Sequence, residues 1–163
     1  MVYPPGTGER LPEVSGFVVP RGRAAMLAST FLSRKWPDPA YGDRAVVRCF
    51  LGGAGAEDLL DVDDDAIAEG VARQLSRVVD LPERPAAWAL VRWPRAMPQY
   101  EVGHGERLAR ISRALPPGIF LVGSAYGGVG VADVVRQAQE AAAAAAAHLA
   151  GERPREEQAT WTT

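Results

Sequence analysis

The stretch IFLVGSAYGGVGVADVVRQAQEAA, residues 119–142, constrains this chain most. Four apolar residues and Gly123 read as a buried strand. A glycine turn follows, and then a helix predicted from about Val131 to Ala150. Seven consecutive alanines strengthen that helix and let it lie close against a neighbour. Glycine at 123 would let a ligand approach the strand's carboxyl end. Gly127, Gly128 and Gly130 allow positive φ and close backbone contact, so free N–H groups can point at an oxygen-rich ligand. The start of the helix adds about half a unit of positive charge there. The strict Gly-x-Gly-x-x-Gly spacing is absent, so the pattern alone equally describes a turn with no ligand. Nucleotide-binding chains also normally carry their phosphate loop early, whereas this one lies late.

The segments upstream are of a different kind. Residues 1–15 read as a loop-like start rich in Pro and Gly. GFVVP (Gly16–Pro20) and AAMLASTFLS (Ala24–Ser33) flank a turn-length RGR and predict a β-hairpin. KWPDPAYGD is a loop, and RAVVRCFLGG (Arg44–Gly53) has the β-branched density of a third antiparallel strand. In DVDDDAIAEGVARQLSRVVDL, Asp63 or Asp64 can cap a helix whose apolar face carries Ile67, Val71, Leu75 and Val78. The acidic run is thus a solvated helix start and not a metal site. Arg84–Pro94 predicts a strand, and Glu101–Leu115 a second amphipathic helix with Leu108, Ile111 and Leu115 facing inward. The fold class expected is α+β: an antiparallel or mixed sheet with packed helices, plus the strand–glycine turn–long helix unit. The polar tail from 151 to 163 should fray.

Composition excludes several functions. The 163 residues are long enough to bury a core, and a net charge of −2 with no basic block gives no footprint for nucleic acid. No apolar run is long enough for a membrane span, and the start lacks a secretory pattern. A single cysteine, Cys49, cannot form an internal disulfide, and a cytoplasmic address follows by default.

No Ser/His/Asp or Cys/His constellation stands out, so the catalytic residues are unknown at this level. His104, in VGHGER, reads as a capping or packing residue. Tyr100 and Trp93 read as buried rings that pin loops. Arg92 and Arg95 read as solvated, and Cys49 as an inert core thiol.

Four segments, in order, resemble the C-terminal part of the flavin-dependent protoporphyrinogen/coproporphyrinogen oxidases of the amine-oxidase-like flavoprotein superfamily. They are SGFVVPRG (Ser15–Gly22), FLSRKWP (Phe31–Pro37), RWPRAMPQYEVGHGERLARI (Arg92–Ile111) and LPPGIFLVGSAYGGVGVADVVRQ (Leu115–Gln137). The third is the most specific, since MPQYEVGH is no generic loop. The resemblance covers about Gly16 to Ala150 and only the last third or so of such an enzyme. It implies that the late glycine turn closes an FAD site opened by an N-terminal βαβ unit, with Gly123, Gly130, Val131 and Ala132 on the flavin side. It further implies that residues 16–100 belong to a substrate-binding domain and 101–150 to the FAD-binding domain, and that porphyrinogen is the substrate. Two positions depart from the family's habit: Gly127 replaces an acidic or amide residue, and Ala138 replaces a glycine. Neither removes a backbone donor. The early Gly-x-Gly-x-x-Gly unit for the adenine half of FAD is absent, so the chain is expected to need an N-terminal FAD-binding part or a full-length protein as partner. The rival readings are a non-catalytic module and another flavoenzyme of the amine oxidase or phytoene desaturase kind.

Overall fold

The computed structural model describes residues 1–20 and 22–151, so most of the expected frayed tail lies outside the described residues. The chain divides into two compact units, Met1–Pro94 and Arg95–Thr163.

In the first unit, β1 (Gly16–Val18), β2 (Met26–Phe31) and β3 (Val47–Leu51) form an antiparallel sheet in that order. The hairpin and third strand expected from β-branched density are present. Within β2, Met26, Ser29 and Phe31 are buried, a spacing that breaks strict alternation. The register slips between Met26 and Ala28, and one extra residue there returns both halves of the strand to the same face. A four-residue helix, α1 (Leu32–Lys35), follows β2 directly.

Helix α2 (Asp64–Ser76) begins where the acidic run predicts. The Asp63 carboxylate accepts from the N–H groups of Asp65 and Ala66 at 2.9 and 3.2 Å, satisfying two donors that a helix start leaves open. Val71 and Leu75 are buried as expected, and Ile67 packs at the margin. Val78 departs from expectation and is 64% exposed, because the helix has ended by Arg77; Val79 takes the core position instead. The core of this unit joins Met26, Phe31 and Val47 of the sheet to Val71 and Leu75 of α2, with Tyr3 and Leu11 completing it.

One expectation fails here. Residues 84–94 do not form a strand; only Ala87 makes a bridge, to Val2. The opening residues, irregular over most of their length, carry Val2 between Val46 and Ala87, bridged antiparallel to both. Backbone bonds Val47 N–H to Met1 O (3.0 Å), Tyr3 N–H to Ala45 O (2.9 Å) and Val2 N–H to Ala87 O (2.8 Å) hold that insertion. Strand pairing is a property of the partner, and neither short segment announces its partner from its own residues.

Tyr3 is fully buried, and burial pushes its phenol from 10.0 up to about 12. The folded state therefore keeps this proton longer than the unfolded chain does. The associated stability is intact below pH 10 and is lost as pH rises from there toward 12. The slope reaches at most roughly 1.4 kcal/mol per pH unit for one such group. Cys49 acts in the same direction, because burial raises its thiol too. Urea midpoints measured across this alkaline window should fall for the wild type and fall less for Tyr3→Phe. Equal slopes would refute the assignment.

The second unit holds α3 (His104–Ala114) and α4 (Val131–Leu149). Leu108 is the buried residue of α3. Ile111, expected inward, is 36% exposed, because nothing among the described residues covers it. The predicted strand at Ile119–Val122 is extended chain without a strand partner among the described residues, and all four side chains are 37–50% exposed. Four consecutive apolar residues exposed on both faces have the character of a central strand in a covered sheet.

Candidate functional site

The turn between Ile119–Val122 and α4 is built by a few long-range polar contacts within the second unit. Gly123 and Gly128 adopt φ of +129° and +123°, a region costly for any residue with a Cβ. Gly130, by contrast, is an extended N-cap at φ −69° and ψ 145°, so its role does not rest on positive φ. Tyr126 N–H donates to Gly123 O at 3.0 Å and closes the first half of the loop.

Two amides of the turn are engaged within the chain, and of these Gly128 belongs to the glycines read as leaving theirs free. Gly123 N–H donates to Gln137 Oε1 at 3.2 Å, and Gly128 N–H donates to Tyr100 Oη at 2.9 Å. Gln137 reaches back from the second turn of α4, is 8% exposed, and leaves its Nε2 buried without a partner among the described residues. It also explains Gly127: a Cβ there would lie 2.9 Å from Gln137 Cδ. The small residue at this departure from the family pattern makes room for the amide beneath it.

The N–H groups of Gly130, Val131 and Ala132 find no acceptor among the described residues, and no side chain caps the helix. They sit at the positive end of a 19-residue helix, and the Val131 side chain is 82% exposed. Around Gly123, the space a Cβ would occupy is open. These four residues, the ones read from sequence as the flavin side, thus present backbone to an accessible surface. The Asp133 carboxylate lies beside Gly128 and Gly130, within 2.9 Å of where their Cβ atoms would be, and Arg136 approaches it at 3.7 Å. Open amides with a carboxylate between them suit a ligand that offers both acceptors and hydroxyl or N–H donors. The ring carbonyls and ribityl hydroxyls of a flavin are such a set, so the residues present fit that group. A pyrophosphate close to Asp133 would be repelled.

The other residues singled out from sequence take varied places. Tyr100 is half-exposed; its hydroxyl donates to the Ser124 carbonyl, and its ring stacks on His104 with centroids 4.2 Å apart and planes at 10°. His104 opens α3 after Gly103, and its Nε2 is buried without a partner among the described residues. Trp93 is 74% exposed rather than buried, since no loop folds over it among the described residues. Arg92 is not merely solvated. Its guanidinium donates to the carbonyls of Leu60 and Val62 and pairs with Asp64, tying the chain ahead of α2 to residues 92. Cys49 lies in β3 with its thiol donating to Ser29 Oγ at 3.7 Å; burial raises its pKa, and the thiolate a nucleophile needs is disfavoured. The first unit also holds an apolar groove of about 490 Å³ lined by Val47, Cys49, Ile67, Val71, Trp88 and Leu90, among others.

Sequence reasoning missed Gln137 and the double role of the Tyr100 hydroxyl. Gln137 looks like a surface residue of a polar helix face, and only the turn folding over it shows otherwise.

The family described as flavin containing amine oxidoreductase matches residues 19–146. Coproporphyrinogen III oxidase of Bacillus subtilis (strain 168) is 32% identical over 151 residues, covering 90% of this chain and 32% of the relative. Its counterpart in Mycobacterium leprae is 34% identical over 140 residues, 85% of this chain and 31% of the relative. Protoporphyrinogen oxidase 1, chloroplastic, of Spinacia oleracea is 33% identical over 123 residues, 72% of this chain and 22% of that protein. A crystal structure from Exiguobacterium sp. 255-15, provisionally assigned as a protoporphyrinogen oxidase, superposes with a TM-score of 0.73 at 29% identity, over 92% of this chain and 33% of that one. The chain spans about a third of the length of the first curated relatives it matches.

Proposed function

The chain belongs to the flavin containing amine oxidoreductase family, and on that premise we propose that it supplies the closing side of an FAD site in a porphyrinogen oxidase. The reaction is conversion of coproporphyrinogen III or protoporphyrinogen IX to the porphyrin, with O2 as acceptor, in heme biosynthesis. The observation that carries the reading is the run of unsatisfied amides at Gly130, Val131 and Ala132, beside open space at Gly123, in a chain whose relatives bear those enzyme names.

When bound, the flavin would accept hydride from the porphyrinogen and pass the electrons to O2 as peroxide. The residues of this chain bind and orient. Val131 and Ala132 would donate to acceptor atoms of the ring, and the dipole of α4 favours negative charge developing there. Asp133 would accept from ribityl hydroxyls. Residues 101–150 would lie in the flavin domain and residues 16–100 in the domain that shapes the substrate pocket. An N-terminal FAD-binding part would hold the adenine half, whether on the same polypeptide or as a separate chain. No described helix is long and apolar enough to cross a membrane. The free thiol of Cys49 is compatible with a reducing, cytoplasmic setting.

Co-expression tests this reading. The 163-residue chain purified alone should be colourless. Co-expressed with the part of the Bacillus subtilis relative that it does not match, it should co-purify with bound flavin and oxidise coproporphyrinogen III or protoporphyrinogen IX. Assays with both porphyrinogens and a simple amine separate the substrate classes. Stoichiometric flavin in the chain alone would overturn the need for a partner. A co-purified, colourless complex would leave a binding module as the correct description.

A further inference from the structure

Tyr100 joins two points of the turn that sequence separates. Its hydroxyl donates to the carbonyl of Ser124, just after the extended segment, and accepts from the N–H of Gly128, just before the approach to α4. Between these points lies a loop bounded by Gly123 and Gly128, both at positive φ. Glycine pairs of this kind give a loop many conformations, and something must select one. Tyr126 N–H to Gly123 O and Gly123 N–H to Gln137 Oε1 each act on the first half of the loop. Tyr100 spans both halves.

The ring that carries this hydroxyl is itself held. It stacks on His104, whose N–H donates to Glu101 O at 3.0 Å at the start of α3. The stack sets the ring beside the start of α3, and the hydroxyl makes both bonds to the turn ahead of α4. Drawing the Gly128 N–H inward also sorts the donors: Gly128 is spent internally, and Gly130, Val131 and Ala132 remain for a ligand.

We propose that Tyr100 is a positioning residue, whose hydroxyl fixes the glycine turn in the form that presents the Val131 and Ala132 amides to the flavin. This rests on the flavin reading above, and it acts through the backbone rather than by touching the cofactor.

The test uses Tyr100→Phe and His104→Ala in the 163-residue chain. Tyr100→Phe keeps the stack and removes both hydroxyl bonds, whereas His104→Ala removes the stack and keeps the hydroxyl. Amide hydrogen exchange by NMR should show Gly128 about tenfold or more faster in Tyr100→Phe, with amides beyond Val135 in α4 unchanged. In His104→Ala the Gly128 rate should stay within about threefold of wild type. In the complex with the part of the Bacillus subtilis relative that the chain does not match, FAD added as a probe should shift the Val131 and Ala132 amide resonances of the wild type. About tenfold more FAD should be needed for the same shift in Tyr100→Phe. Unchanged Gly128 exchange in Tyr100→Phe overturns the proposal, and so does equal loosening in both variants, which would reduce Tyr100 to packing. A wild-type complex whose Val131 and Ala132 amides ignore FAD sinks the flavin reading at these residues, and with it the presentation of amides to flavin. The exchange rates alone then decide whether Tyr100 holds the turn.

Discussion

Gly16→Ala is expected to unfold the Met1–Pro94 unit under conditions in which the wild type is fully native. Gly16 pairs with Thr30 in the β1–β2 ladder at φ +149°. A Cβ built there would lie 2.0 Å from Ser29 O and 2.9 Å from Thr30 Cα, both backbone atoms of the central strand. Side chains can swing aside, but these atoms cannot move without breaking the ladder. Backbone strain of this kind and overpacking each cost on the order of 1–3 kcal/mol, and here they add. Urea denaturation followed by tryptophan fluorescence would measure it. A midpoint within error of wild type would show that β1 is free to shift.

The second large effect is Phe31→Ala. Phe31 is fully buried, its ring meets Phe17 edge-on with centroids 5.9 Å apart, and its backbone pairs with Val47. It therefore ties the hairpin, the third strand and the face of α2 into one core. Truncating a buried phenylalanine costs roughly 3–5 kcal/mol, a large part of a typical domain's stability. Equilibrium unfolding should show the loss as a lower midpoint, and Phe31→Leu should recover most of it. If alanine and leucine behave alike, the site collapses around the missing ring and the core is softer than its burial implies.

What could be read from the residues, and what could not, divides along the range of the interactions. The cap at Asp63 and the start of α4 after Gly130 rest on neighbours within a few positions, and both stand where local rules put them. The hairpin and β3 were legible from β-branched density between turn residues. The stretch from Arg84 to Pro94 is rich in apolar residues, among them Trp88, Leu90 and Val91, yet makes only one bridge, because its partner is a short segment more than eighty residues away. Ile119–Val122, read as a buried strand, is neither buried nor paired, since no partner strand lies among the described residues. At the turn, the glycine pattern did not show which amides are free, because that depends on Gln137 and Tyr100 reaching in from other elements. Val78 was misplaced for a simpler reason: the helix stops two residues before it.

The insertion of Val2 between Val46 and Ala87 has a consequence for how this protein comes to be folded. A hairpin such as β1–β2 closes a small loop and can form early. Val2, in contrast, needs two contacts separated from it by most of the unit's length, and the entropy of closing those loops is lost before either contact is made. On the ribosome, Val2 and Tyr3 must wait until Ala87 has cleared the exit tunnel. Tyr3, the largest fully buried side chain here, spends that interval in water. The innermost part of the unit is thus among the last to be completed, and chaperone contact and proteolysis of the nascent chain should concentrate around Val2 and Tyr3.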